Sequence, residues 1–170
     1  MQQSFKSEGI TITAEVMPPR GGDPSTTLCV AKKLKTHVHA LNVTDGSRAV
    51  MRMSSLAVCK LLLEEGLEPV FQIACRDRNR IALQADLLGA NALGIKNVLC
   101  LTGDPVRVGD QANAKQVTDF QSIHLLQQIQ AFNLSQDPVS GLLPNGGTKL
   151  FPGAAADPNC RSLNGLRRRL

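Results

Sequence analysis

Short apolar runs alternate with amphipathic segments along almost the whole 170-residue chain. The runs are nearly continuous, which is typical of parallel strands buried on both faces, and the segments between them have helical periodicity. The pattern predicts five strands, at Ile10–Met17, His39–Thr44, Pro69–Cys75, Asn97–Leu101 and Lys149–Ala155. It predicts helices after them, at about 24–35, 54–65, 79–88, 118–132 and from 161 to the chain end, with Gly66 and Gly89 ending the second and third.

The strand–helix unit recurs about every 30 residues, which is the size of a βαβ unit. We therefore expect an α/β fold with parallel strands, in a single domain over residues 1–170. Two architectures fit this pattern, an open doubly wound sheet and part of a (β/α)8 (TIM) barrel. Periodicity does not separate them, but in both the functional residues follow the carboxyl ends of the strands.

Polar residues cluster after the predicted strands, and each cluster has two interpretations. Glu15 lies inside an apolar strand. If it faces a cleft, burial would raise its pKa and favour a general acid; otherwise it reaches water or pairs with an arginine. The sequences T-D-G-S at 44–47 and T-G-D-P at 102–105 suit ligand loops and are also ordinary turns. The basic residues Arg76, Arg78 and Arg80 are interpreted as a solvated helix start, with phosphate binding as the alternative.

Composition narrows the classes of protein. Trp and Tyr are absent, although single-strand nucleic-acid binders usually need aromatic stacking platforms. Three of the five net positive charges come from Arg167–Arg169, so we expect no nucleic-acid partner. The five cysteines have no zinc-ligand spacing, and we expect no metal site. Four of them lie in apolar or helical surroundings, which predicts buried free thiols and a reducing compartment. The longest apolar stretch, around Leu56 to Leu63, is interrupted by Lys60 and is too short to span a bilayer, so we expect no membrane partner and a cytoplasmic location.

Three strand-end motifs occur in order along the chain: E-V-M-P-P-R at 15–20, N-V-T-D-G at 42–46 and L-T-G-D-P at 101–105. Together they resemble the flavin-dependent methylenetetrahydrofolate reductase family, whose fold is a (β/α)8 barrel. The resemblance implies a bound FAD, rather than FMN, that takes hydride from NAD(P)H. It also implies that the hydride passes to 5,10-methylenetetrahydrofolate, the folate substrate, and forms 5-methyltetrahydrofolate.

The resemblance also implies roles for individual residues. Glu15 would be the general acid that helps to open the five-membered ring of the folate. Asp104 would lie near the flavin and the pterin, and Thr44 would contact the stacked nicotinamide or folate. The residues expected to line the flavin are Asp45, Ser47, Gln72, Thr102, Gly103 and Val117, with further FAD contacts from Ala156 and Arg169.

The chain departs from the family pattern in several places. The family often has His at Gln72, Arg at Thr102 and Tyr at Ala156, and the Pro/Gly-rich loop at 137–147 is longer than usual. A (β/α)8 barrel needs about 250 residues, whereas this chain offers five units, so we expect a C-terminally truncated member. The alternative function is a catalytically incomplete remnant that binds flavin or folate, or acts as an interaction module. A second copy or another partner would then cover the open barrel edge.

Overall fold

The computed structural model describes residues 1–2, 4–6 and 9–155. The helix predicted from 161 onward, Cys160 and the candidate contacts Ala156 and Arg169 lie outside the described residues. The first four strand–helix units are β1 (Thr13–Val16), α1 (Ser25–Leu34), β2 (Ala40–Val43), α2 (Ser55–Glu64), β3 (Pro69–Ala74), α3 (Arg80–Ala92), β4 (Asn97–Leu101) and α4 (Ser122–Asn133). They are followed by β5 (Gln136–Asp137), β6 (Gly141–Leu142) and β7 (Phe151–Ala154).

Five parallel strands form the main sheet, in the order β1-β2-β3-β4-β7. Each strand lies beside the preceding strand of this sheet, as expected when a helix carries the chain back to begin the next parallel strand. The first strand is shorter than predicted because Ile10 and Ile12 are 85% and 51% exposed and do not pack into the core. The predicted parallel α/β fold is confirmed.

The two faces of the sheet have different environments. Alternate strand residues such as Val43, Phe71 and Cys100 are fully buried in the main core, together with apolar helix residues including Leu62 and Leu87. The opposite face surrounds a cavity of about 410 Å³, whose lining includes Thr13, Asn42, Val70, Leu99 and Phe151. The alternation of side chains along a strand separates these two environments.

The third helix is longer than predicted. It passes through Gly89 and ends at Ala92, followed by Gly94 with a φ of +85°. Leu87 and Ala90 are fully buried on either side of Gly89, so tertiary packing keeps this turn helical despite the low helix propensity of glycine. The expectation that Gly89 ends the helix is therefore wrong, whereas Gly66, with a φ of +68°, follows α2 as predicted.

The fourth helix and the loop after it also differ from the prediction. The α4 helix begins at Ser122 rather than Thr118, and the backbone N–H of Gln121 donates to His124 Nδ1 at 3.1 Å. Within the predicted loop, β5 and β6 form a short antiparallel hairpin. It is fixed by the buried Asp137 carboxylate, which accepts hydrogen bonds from Gln84 and Gln128 at 3.2 and 3.0 Å. Periodicity does not predict side-chain hydrogen bonds that join α3, α4 and β5, so this hairpin was not predicted.

Cys59, Cys75 and Cys100 are buried free thiols, whereas Cys29 is exposed on α1. Burial raises the pKa of Cys75 to about 11 and that of Cys100 to about 12. In the part of the chain that the structure describes, no helix is long and apolar enough to cross a membrane. The same residues contain no cluster of three or more His, Cys, Asp or Glu side chains that could hold a metal ion.

Candidate active site

A pocket of about 260 Å³ lies where the first four strands end. Parallel strands end at a common edge, so residues far apart in sequence meet there. The pocket is lined by most of the predicted site residues, namely Glu15, Thr44, Asp45, Ser47, Gln72, Thr102, Gly103 and Asp104. The same wall contains Gly46, Ala74, Arg76 and Leu101. Of these, the sequence offered Gly46 only as part of a possible ligand loop and Arg76 only as an alternative phosphate contact, and it singled out neither Ala74 nor Leu101 as a site residue.

Val117 is not among the residues that line this pocket. Its backbone N–H donates to the carbonyl oxygen of Arg76 at 2.9 Å, so it holds the segment after β4 against the end of β3. The other two predicted FAD contacts, Ala156 and Arg169, lie outside the described residues.

Thr44 is the first residue after β2, and its side chain is buried without a partner in the part of the chain that the structure describes. It is 2% exposed, and its Oγ1 makes no hydrogen bond among the described residues. Leaving a buried hydroxyl unsatisfied costs about 1–3 kcal/mol. Because Thr44 also lines the pocket, a bound ligand with a polar atom there would remove this cost.

Glu15 lies in β1, in register with Asn42 of β2. Its side chain is exposed, so the burial considered from the sequence is not present among the described residues. It makes no ion pair or hydrogen bond with them either, which excludes the alternative of a described arginine partner. The carboxyl group therefore borders the pocket without a protein partner in this part of the chain.

Asp104 joins two of the strand-end loops. Its Oδ2 accepts a hydrogen bond from the backbone N–H of Arg48 at 2.8 Å. Arg48 and Ala49 have φ values of 58° and 55°, in the left-handed region that is uncommon for residues other than glycine. Such conformations persist where the surrounding structure holds them, and the Asp104 carboxylate is one of the groups that hold this loop.

Asp45 is a structural member of the site. Its Oδ2 accepts from the backbone N–H of Ala74 at 2.9 Å and from Arg78 at 2.7 Å, and its Oδ1 accepts from Arg78 at 3.3 Å. Arg78 also pairs with Asp86 at 3.0 Å. Both carboxylate oxygens of Asp45 are thus occupied by protein donors, and the residue ties the end of β2 to the end of β3.

The interpretation of Arg76 as part of a solvated helix start is wrong, because only 4% of this residue is exposed. Its Nε and Nη2 donate to the Asp77 carboxylate at 2.7 and 2.5 Å, and this bonding raises the pKa of the guanidinium. Arg80, by contrast, has a side chain that is 48% exposed and pairs with Asp119. Three arginines with similar sequence spacing therefore have different environments, which only the tertiary structure distinguishes.

Thr102 and Gln72 differ in whether their side-chain polar groups make hydrogen bonds with the described residues. Thr102 Oγ1 donates to Ser122 Oγ at 3.3 Å, so this side chain contacts the start of α4. Gln72 is 7% exposed in β3, and its side-chain amide makes no hydrogen bond with the described residues. Gln72 is therefore the more available of the two for a ligand.

A second pocket, of about 380 Å³, adjoins the first and shares Asp45, Gly46 and Arg76 with it. Small-molecule sites usually occupy roughly 300–1,000 Å³. The first pocket is slightly below that range, but the two together lie within it. Arg76 lies between them and contributes to both linings.

A family model described as methylenetetrahydrofolate reductase matches residues 1–152 of the chain. The match covers the first four strand–helix units and reaches β7. Members of that family fold as (β/α)8 barrels, so the five parallel strands are part of such a barrel, and the architecture left open by periodicity is decided. No curated protein gives a significant match to the chain.

Proposed function

This chain belongs to the methylenetetrahydrofolate reductase family, and from that membership we propose that it reduces 5,10-methylenetetrahydrofolate to 5-methyltetrahydrofolate with NAD(P)H. The family consists of flavin-dependent oxidoreductases that act on folate in one-carbon metabolism. The observation that carries the proposal is the strand-end pocket, where Glu15, Thr44 and Asp104 come together. The product places the proposed reaction before methionine synthesis.

The described residues fit a flavin ring system in two respects. At the pocket wall, Thr44, Ser47 and Gln72 offer side-chain polar groups that make no hydrogen bond with the described residues. The adjoining pockets together have the volume of a small-molecule site. We propose that these residues, with Thr102 and Gly103, hold FAD rather than FMN, with further contacts from Ala156 and Arg169. When bound, FAD would supply the hydride-transfer chemistry.

We assign proton donation to Glu15. Its carboxyl group is exposed at the pocket and makes no bond with the described residues, so it is accessible to a bound folate. A proton from this group would go to the folate nitrogen that is released when the five-membered ring opens. Asp104, with Oδ2 bound to the loop after β2, would use its other oxygen to anchor the folate.

The test measures the reduction of the flavin by NAD(P)H separately from its reoxidation by the folate substrate. The purified protein should bind added FAD, NAD(P)H should bleach the flavin absorbance, and methylenetetrahydrofolate should restore it. Glu15→Gln should leave bleaching by NAD(P)H unchanged and slow the folate-dependent recovery by about 10²–10⁴-fold, because only that step needs the proton. Stopped-flow absorbance measures both rates.

Glu64→Gln is the matched control, since Glu64 is an exposed glutamate on α2 that pairs only with Lys60 at 3.4 Å among the described residues. It should change neither rate. A wild-type protein that binds no FAD would contradict the proposed function, and equal recovery rates in Glu15→Gln and wild type would remove the role of Glu15.

A binding or interaction module without turnover is the second candidate. Among the described residues, β1 and β7 each pair with one neighbouring strand and form the two edges of the sheet. An uncovered edge is a surface for another chain, so a second copy or another partner would cover it in this case. This candidate predicts FAD binding with no folate-dependent recovery. The buried free thiols suit a reducing compartment, so the cytoplasm stays our proposed location.

A further inference from the structure

We propose that Arg76 is a positioning residue of this site, whose buried guanidinium holds the loops after β2 and β4 in place and puts a positive charge beside the bound cofactor. This inference rests on the proposed function for the cofactor. Its geometric part does not, because the contacts of Arg76 with the two loops are present in the described residues themselves.

Arg76 contacts the loops on both sides of its own strand. It lies in the helical turn Cys75–Asp77 that follows β3. Its Nη1 lies 3.3 Å from the carbonyl oxygen of Gly46, after β2, and 3.4 Å from that of Asp104, after β4. One side chain therefore connects the ends of three neighbouring strands.

Two glycines make room for this side chain. A Cβ added to Gly46 would lie 2.7 Å from Arg76 Nη2, and a Cβ added to Gly103 would lie 2.9 Å from Arg76 Cβ. Both distances are shorter than real Cβ contacts allow. The glycines of the T-D-G and T-G-D-P motifs are thus matched to a neighbouring side chain as well as to their positive φ values of 54° and 91°.

The hydrogen-bonding capacity of Arg76 is only partly used by the described residues. Asp77 accepts from Nε and Nη2, whereas the two contacts of Nη1 are longer than the usual 2.9–3.0 Å of an N–H···O bond. Asp45 and Asp104 are the other acidic groups that act on the guanidinium. Four of the five N–H groups of the guanidinium thus have acceptors, and the second N–H of Nη2, with no acceptor among the described residues, and the weakly held Nη1 are the donors left for a ligand.

A cation beside a flavin favours negative charge on the ring, which increases on reduction. Arg76→Met should therefore weaken FAD binding by at least about tenfold and lower the midpoint potential of the bound cofactor. A tenfold loss of preference for the reduced form corresponds to about 30 mV for a two-electron couple. Arg76→Lys, which keeps a charge, should recover part of the potential.

Arg80→Met is the matched control. Arg80 also binds an aspartate through two hydrogen-bonded groups, but its side chain is 48% exposed and it lines neither of the two pockets. Its loss should leave FAD affinity and potential unchanged. An Arg76→Met protein that folds and has the affinity and potential of wild type would overturn the proposal. If this variant does not fold, Arg76→Gln takes its place, and a folded Arg76→Gln protein with the affinity and potential of wild type would overturn the proposal.

A double-mutant cycle tests the geometric part without any cofactor. In the wild-type background, Gly46→Ala should reduce the folding equilibrium constant, because the added Cβ meets Arg76 Nη2. In the Arg76→Met background, the fold reduction caused by Gly46→Ala should be about five times smaller. Urea titration measures both. If the wild type binds no FAD, the proposed function fails, and this cycle alone tests whether Arg76 holds the two loops in place. Additive losses in the cycle would then overturn the role of Arg76.

Discussion

Thr44 and Thr148 are both buried threonines, 2% and 5% exposed, but only Thr148 has a partner for its hydroxyl among the described residues. Thr148 Oγ1 donates to Asn133 Oδ1 at 2.6 Å. Thr44 Oγ1 lies at the candidate pocket without such a partner. A residue that costs stability in the free protein is a candidate ligand contact, and the two threonines provide a matched pair for testing this.

Thr44→Val should leave the free energy of unfolding unchanged or raise it by up to about 1 kcal/mol, because it removes an unsatisfied hydroxyl. Thr148→Val should lower it by about 1–2 kcal/mol, because it breaks a satisfied bond. Urea denaturation measures both. FAD affinity, followed by fluorescence, should fall only in Thr44→Val. An unchanged affinity there would exclude the hydroxyl as a cofactor contact.

The sequence was least informative about arginines and carboxylates. Arg76 and Arg80 look alike in a polar segment, yet one is 4% exposed and the other has a side chain 48% exposed. Asp45 was predicted to line the flavin, and it does line the pocket, but Arg78 and Ala74 occupy its carboxylate. Partners of this kind come from other strands and cannot be inferred from local sequence.

At the scale of elements, Gly89 and Gly94 allow the effect of backbone conformation to be measured separately from the effect of side-chain packing. A Cβ at either position would meet nothing within 4 Å. Gly89 lies inside α3, whereas Gly94 follows the helix with a φ of +85°. The two positions therefore differ in backbone conformation and not in the space available to a side chain.

Gly89→Ala should raise the free energy of unfolding by about 0.5–1 kcal/mol, because alanine has the higher helix propensity and fewer unfolded conformations. Gly94→Ala should lower it by about 1 kcal/mol or more, because alanine is strained at a positive φ. Equal effects of the two changes in urea titrations would contradict a third helix that passes through Gly89 and ends before Gly94.

The types of the elements were predictable, and their ends were less so. The apolar runs and helical segments predicted all four described helices and the five main strands, since periodicity depends on nearest neighbours. The end of α3 was missed because the buried Leu87 and Ala90 continue the helix past Gly89. The β5–β6 hairpin was missed because it depends on the buried bonds of Asp137 with α3 and α4.

At the scale of the whole molecule, paired carboxylates give the stability a dependence on acid pH. Hydrogen bonds from Arg80 lower the pKa of Asp119 to about 2, and bonds from Ser140 and Ser25 lower the pKa of Asp137 and Asp23. Burial of Asp86 raises its pKa and acts in the opposite direction. A carboxylate with a lowered pKa stabilises the fold above the unfolded pKa of about 3.9.

The contribution of Asp119 should therefore be complete above about pH 4 and be lost as the pH falls towards 2. Asp119→Asn should destabilise the protein at pH 7, and its difference from wild type should shrink as the pH falls from 4 towards 2. Urea midpoints at several pH values measure this. A difference that stays constant over this range would contradict the assignment of the low pKa to Asp119.

The sequence by itself determined the α/β class and the parallel order of strand and helix, and it predicted the strand ends as the location of the candidate site. These follow from local periodicity and from motifs within a few residues of one another. It also determined, through resemblance, the family that the match over residues 1–152 supports.

Only the tertiary structure decided which polar groups are free and which are occupied. Among the described residues, the hydroxyl of Thr44 has no partner, both carboxylate oxygens of Asp45 accept hydrogen bonds, and Arg76 is buried between the strand-end loops. Each of these states depends on atoms that lie about 30 residues or more away along the chain. Hydrogen bonding and burial are properties of position in three dimensions, and the parallel sheet brings those positions together.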